Sequence, residues 1–124
     1  MTADERKKVA VDFLRMAGQG HPYEMQSALK PGGIHHNVYF PRGWDALLKA
    51  MADAAKKSPM TRHDVKHVIC EGDLVVVHSH VVHQPDEPGF AVVHMFRFEG
   101  DKIAEMWDVG LSIPANSPNT DGAF

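Results

Sequence analysis

The chain holds a single cysteine, Cys70, among 124 residues. One thiol excludes a disulfide within the chain and offers no thiolate metal cluster. Cys70 falls in a strand pattern, where a lone thiol is expected to be a buried, inert side chain. An excess of positive charge is also missing. Thirteen Lys and Arg stand against sixteen Asp and Glu, a formal net charge of −3, and the two signs are interspersed. No basic patch marks a nucleic-acid surface, and the pairs Lys7-Lys8 and Lys56-Lys57 read as solvated helix faces. No apolar run approaches the roughly 18 residues that span a bilayer. The opening MTADERKK lacks the apolar stretch of a signal peptide. The expectation is a soluble, cytoplasmic protein without nucleic-acid or membrane partners.

What is present is enough for one core. Hydrophobic residues make up 44%, with six Phe and two Trp, so a single folded domain over 1–124 is expected. Thr2 and Glu5 have capping-box spacing. Val9, Phe13, Met16 and Ala17 then form an apolar helical face, which Gly18 and Gly20 end. Pro22 suits the start of a short second helix to about Leu29, stopped by Lys30-Pro31-Gly32-Gly33. Ile34 to Phe40 reads as a short strand, and Trp44, Leu47, Leu48, Met51 and Ala55 lie on one stripe of a third helix, broken at Ser58-Pro59. From Thr61 the period becomes two. Strands are expected to Glu71, from Leu74 to His83, from Phe90 to Phe98 and from Ile103 to Ile113, with turns at Gly72-Asp73 and Gly100-Asp101. The tail, about 114–124, is turn-rich and reads as irregular. Helices first and an antiparallel meander afterwards make an α+β chain.

The nine histidines are the unusual feature, because imidazole gains or loses a proton most easily near neutral pH. Alternation puts His78 and His80 on one face of their strand, and a loop centred near residue 87 sets them beside His94 and Phe96. His94 and Asp108 lie fourteen positions apart across the turn at Glu99–Lys102. A two-residue turn sends Asp108 to the far face. A three-residue loop puts it on the face of His94. Turn chemistry does not choose between them, and a one-residue slip flips every side chain.

The segments VKHVICEGDLVVVHSHV and FAVVHMFRFEGDKIAEMWDV, with the ending NTDGAF, resemble the SnoaL-like polyketide cyclase group of the nuclear transport factor 2-like superfamily. The earlier IHHN is similar to that group's Ile-Gln-His-Asn segment, with His35 in place of the Gln. The resemblance spans about half the chain. It implies a cone: three N-terminal helices packed on a strongly curved, mixed, mostly antiparallel sheet around a deep pocket. It also implies an inward aspartate on the last strand as general acid/base and an inward histidine fourteen positions earlier, matched by Asp108 and His94. The three-residue loop is then favoured. Two positions depart from the pattern. Many aldol-type relatives carry Asp where this chain has His94, and the glutamine two residues before the cyclase histidine is Val92 here.

These readings name candidates. Asp108, poorly solvated beside Phe96, Met106 and Val92, is expected to take a proton next to a carbonyl, the alternative being an aspartate bonded to backbone donors. His94 is expected to serve the developing oxyanion or to orient Asp108, the alternative being a core histidine satisfied by a carbonyl. His78, His80, Phe96 and Met106, with His36 or Asn37 from the early strand, are expected to line the pocket. His21, His63, His67 and His83 read as surface or structural. No cofactor and no metal is expected, although His78, His80 and His94 together would make a three-imidazole zinc set. With Asp108 inward, Trp107, Ile103, Val109, Leu111, Val75, Val77, Val81, Val93 and Met95 form an outer apolar face. Homodimerisation is its natural cover, or else the folded-back tail. The function expected is cofactor-free acid/base chemistry, an aldol-type cyclisation or isomerisation, on a small carbonyl compound. The alternatives are a non-catalytic protein binding a small apolar ligand and a metal-dependent enzyme.

Overall fold

The structure, a computed structural model, describes residues 1–124. Helix α1 spans Ala3–Gly18, and the Thr2 hydroxyl accepts the Glu5 amide at 3.1 Å. Ala10, Phe13, Leu14 and Ala17 are its buried stripe. A 3-10 helix follows over Pro22–Ala28, with Pro22 in its first turn. Helix α2 spans Trp44–Lys57 and buries Trp44, Leu47 and Leu48. It begins after Gly43, whose φ of 96° a residue with a side chain rarely adopts.

The first strand departs from expectation. β1 is Leu29–His35, not Ile34 to Phe40. It runs through Lys30-Pro31-Gly32-Gly33, which was expected only to stop a helix. An edge strand tolerates a proline because one side of its backbone has no ladder to donate to. Gly33 is required there: a Cβ would lie 2.6 Å from the Trp44 ring and 2.7 Å from the Ala104 carbonyl. The Trp44 indole N–H donates to the Lys30 carbonyl at 2.7 Å and pins the strand to α2.

The remaining strands are β2 (Arg62–Glu71), β3 (Leu74–Val82), β4 (Phe90–Glu99) and β5 (Lys102–Ser112). The sheet order is β1-β5-β4-β3-β2. β1 runs parallel to β5 and the other neighbours are antiparallel. The sheet is therefore mixed and curved, with the three helices against it, as expected of the α+β cone. Phe13 of α1 meets Phe96 of β4 edge to face at 6.0 Å. Val75, Val77, Phe96 and Ile103 are fully buried around them. Removing each such side chain from water contributes about 1.5–3 kcal/mol.

Two bulges decide which side chains face inward. At the β4–β5 turn Glu99 pairs with Lys102, so the turn has two residues and the expected three-residue loop does not form. Phe98 pairs with Ile103, but Arg97 pairs with Glu105, leaving Ala104 as the extra residue. Ile103 and Ala104 are both buried although consecutive. That bulge reverses the parity of the strand and sets Asp108 directly opposite His94. In β2, Val65 pairs with Ser79 while His67 pairs with His78, so Lys66 is the extra residue. His63 and Val65 therefore face inward, and His67 faces outward.

The β3–β4 register also corrects the expected faces. His94 pairs with Val77, His78 with Val93 and His80 with Ala91. Val75, Val77, Ser79 and Val81 are the inward face of β3, and His78 and His80 point away from the pocket. On the outer side the His67 and His78 rings stack at 5.3 Å. The tail from Ile113 has no helix or strand, and Phe124 packs on His78 and His80 at 5.4 and 4.7 Å. Val75, Val77, Val81 and Ile103 are core, so the outer apolar face is smaller than expected. It consists of Trp107, Val93, Met95, Val76, Ile69, Val109 and Leu111.

Candidate functional site

A cavity of about 320 Å³ lies between the helices and the concave face of the sheet. Leu14, Ala17 and Gly18 of α1 and Met51, Ala54 and Ala55 of α2 form its apolar wall. His63, Val81, His83, Val92, His94 and Asp108 line the opposite side, with Thr61 at one end and Asn37 and Phe40 at another. A wider vestibule of about 660 Å³ lies beside it and shares Asn37, Phe40, His83, Val92 and Asp108 with it. Those five residues form the waist between the two spaces.

Asp108 is held from the segment after β1. Asn37 Nδ2 donates to Asp108 Oδ2 at 2.7 Å. The orientation of that amide is determined, because Asn37 Oδ1 accepts the Tyr39 N–H at 3.0 Å and only the nitrogen is left for the carboxylate. His35 holds the segment itself. Its Nε2–H donates to the Pro41 carbonyl at 2.7 Å, and its Nδ1 accepts the Asn37 amide at 3.2 Å. Both ring nitrogens are used, which defines the Nε2–H tautomer. Asp108 is thus bonded to a side chain, not to backbone donors, and its Oδ1 makes no hydrogen bond within the protein.

His94 is 8% exposed, and its Nδ1 is buried with no partner. No carbonyl satisfies it. Burial, and then the neighbouring His63, push its pKa down to about 3. His63 is pushed down to about 4, by burial first, then by the Arg15 guanidinium and His83. The two rings lie 5.8 Å apart, and His63 Nε2 is also buried without a partner. Each ring is therefore neutral and carries one hydrogen. Placing that hydrogen on the buried orphan nitrogen would strand a donor, which costs more than a stranded lone pair. With the hydrogens on His94 Nε2 and His63 Nδ1 neither orphan is a stranded donor, and the wall then offers two N–H donors to a ligand. A ring whose cation is so disfavoured gives a hydrogen bond to an oxyanion, not a proton.

The other candidates divide. Asn37 lines the inner cavity, whereas His36 lines only the vestibule. Its Nε2 donates to Glu105 at 2.7 Å, and its ring stacks on Trp107 at 5.2 Å. Phe96 and Met106 are buried core beneath the cavity and not among its lining residues. His78 and His80 lie behind the sheet. The zinc set of His78, His80 and His94 cannot assemble, because the sheet separates two of the imidazoles from the third. His63, His83 and Thr61 line the cavity although they read as structural or as an ordinary strand start. One signal was available for His83: Val75, Val77, Ser79 and Val81 make the less polar face of β3, and alternation carries that face to His83. Nothing local betrayed His63, whose placement depends on the register of β2.

The family model described as SnoaL-like domain matches residues 10–106. No curated protein matches by sequence. Among solved structures, AclR, a putative hydroxylase from Streptomyces galilaeus, is similar at 21% identity. That match covers 89% of this chain and 91% of that one, with a TM-score of 0.73. A putative SnoaL-like polyketide cyclase from Jannaschia sp. CCS1 is similar at 17% identity, over 87% and 86%, with a TM-score of 0.71. A SnoaL-like protein of unknown function from Burkholderia thailandensis E264 gives 12% identity, 90% and 98%, and 0.74. At these identities the structures establish the fold and not an activity. The family match covers most of the chain and spans every residue of the cavity lining except Asp108. This protein belongs to the SnoaL-like domain family, within the nuclear transport factor 2-like fold.

Proposed function

We propose that the protein is a cofactor-free acid/base enzyme acting on a small carbonyl compound, by aldol-type cyclisation or isomerisation. The observation that carries the reading is the Asp108 carboxylate, oriented by Asn37 at the waist of the cavity, across from a neutral His94 on the adjoining strand. Asp108 Oδ1 takes a proton from the carbon next to the carbonyl, and the electron pair moves onto the carbonyl oxygen. A hydrogen bond from His94 Nε2–H supports that oxygen. The proton then returns from Asp108 at another carbon, or the enolate carbon attacks a second carbonyl and Asp108 gives the proton to the alkoxide that forms. Turnover in D₂O tests this directly. Incubating a panel of small ketones, hydroxyketones and 1,3-dicarbonyl compounds with the protein should exchange the α-hydrogen of at least one member for deuterium, seen by proton NMR. Exchange no faster than with a Asp108→Asn control on every member would sink the reading. A second reading, a protein that binds a small apolar ligand without chemistry, draws on the wall of Leu14, Ala17, Met51, Ala54 and Ala55. It would then stand.

The same reading includes a homodimer through the outer face of the sheet. Val109 and Leu111 are 69% and 63% exposed beside Trp107, and Phe124 covers only the His78–His80 end. A stable interface there should bury more than roughly 1,000 Å² in total. Sedimentation at micromolar concentration should return twice the chain mass, and Leu111→Glu should halve it. A monomeric wild type refutes the dimer. No helix is long and apolar enough to cross a membrane. A cytoplasmic location accompanies the proposal, since a lone free cysteine suits a reducing compartment.

A further inference from the structure

His83 stands across the waist from the machinery just described, lining both the inner cavity and the vestibule with Asp108. Its tautomer follows from its neighbours. Thr61 Oγ1 lies 2.7 Å from the Ser58 carbonyl oxygen and 3.1 Å from His83 Nδ1. Two oxygens 2.7 Å apart need a hydrogen between them, and a carbonyl has none to give. The hydroxyl hydrogen therefore goes to Ser58, and the hydroxyl oxygen accepts from His83 Nδ1–H. That leaves His83 Nε2 as a bare lone pair, with no partner in the protein. Phe90 meets the ring at 5.7 Å, edge to face.

The waist thus carries two kinds of acceptor, a carboxylate and an imidazole nitrogen, while His94 and His63 supply donors further in. We infer that His83 is a specificity-determining residue whose Nε2 accepts a hydrogen bond from a hydroxyl of the substrate, so that the substrate is a hydroxylated carbonyl compound, a ketol, enol or phenol, and not a simple ketone. The inference rests on the proposed function for the carbonyl and on the Ser58–Thr61–His83 chain for the hydroxyl. A site built to accept a hydroxyl hydrogen discriminates against the analogue lacking it, because the acceptor is then desolvated and unpaired.

The test separates the two. Long-range ¹⁵N–¹H correlation spectra of the free protein should show His83 protonated at Nδ1 and bare at Nε2. Thr61→Val, which removes the acceptor but leaves the ring, should shift that ring toward the Nε2–H form. Binding is read by fluorescence titration with 2-naphthol and 2-methoxynaphthalene, which differ in the hydroxyl hydrogen. Wild type should prefer the naphthol by about three- to tenfold, the range one net hydrogen bond supports. His83→Leu and Thr61→Val should both erase the preference, and Asp108→Asn should keep it. An Nε2–H tautomer in the free wild type overturns the inference. So does a preference that persists in both His83→Leu and Thr61→Val, or one lost only in Asp108→Asn, which would assign hydroxyl recognition to the carboxylate. None of these readouts requires turnover, so a failed deuterium exchange leaves the test of His83 intact.

Discussion

Asp108→Asn is expected to lower turnover by about 10²–10⁴, the range that removal of a positioned general base commonly costs. The fold should survive. Asparagine has nearly the same volume, and its amide oxygen can still accept from Asn37 Nδ2, as Asp108 Oδ2 does at 2.7 Å. What is lost is the capacity to accept a proton from carbon at neutral pH. Because the loss is confined to the chemical step, the catalytic rate constant should fall while the ligand dissociation constant changes little. Asn37→Ala should act in the same direction but less, since Asp108 keeps its chemistry and loses its orientation. His94→Gln should also cost less than the aspartate, because glutamine retains an N–H donor and the role assigned to His94 is a hydrogen bond. Single-turnover kinetics and calorimetric binding on the same preparations decide the matter. Wild-type turnover by Asp108→Asn would make the carboxylate structural and bring the binding-protein reading forward.

Acid should begin to destabilise this protein above the pH at which ordinary carboxylates titrate. His94 and His63 are held down to about 3 and about 4, against 6.5 for an unburied histidine. Between those values the unfolded chain binds protons that the folded chain refuses. Stability is then complete above about pH 6.5 and is lost as pH falls toward 4 and then 3. Each such group contributes a slope of about 1.4 kcal/mol per pH unit within its window, so the pair should remove roughly 3 kcal/mol per unit between pH 6 and 4. Against a total of about 5–15 kcal/mol, a loss of roughly 6 kcal/mol by pH 4 leaves the fold marginal there. Carboxylates cannot mimic this window. Glu99 and Glu105 are held below their usual range by hydrogen bonds, chiefly from Lys30 and His36. Their contribution is present above about 4.5 and lost only below it. Urea denaturation from pH 7.5 to 4 measures the slope. His63→Leu and His94→Leu should each remove about half of it, and the double variant should be nearly flat over that range. An unchanged slope in the double variant would refute the assignment.

The determinants of this molecule divide by the distance over which they act. Period, capping and punctuation are local, and they were legible. Phe13 and Ala17 mark α1, the Trp44–Leu48 stripe marks α2, and the turns at Gly72 and Gly100 bound the long strands. The segments VKHVICEGDLVVVHSHV and FAVVHMFRFEGDKIAEMWDV, with IHHN and the ending NTDGAF, carried the family resemblance, and with it the cone. That Asp108 shares the face of His94 was legible only through that resemblance, and their direct pairing was not. The chain reaches it by a route the turn residues do not announce, a two-residue turn corrected by a bulge at Ala104.

The tertiary structure decided everything that depends on parity. A bulge adds one residue where packing against the helices needs extra curvature, and no residue type at Lys66 or Ala104 requires it. The β3–β4 register differs from the expected one by an odd number of residues, which sends His78 and His80 outward and brings His83 in. Asn37 reaches Asp108 because the chain leaves β1 at His35 and turns, held by His35 and Pro41, instead of continuing as a strand. The sequence by itself determined the kind of fold and the identity of an aspartate–histidine pair. Only long-range pairing decided which other histidines share their cavity, because a side chain's face is set by every residue counted between it and the nearest bulge.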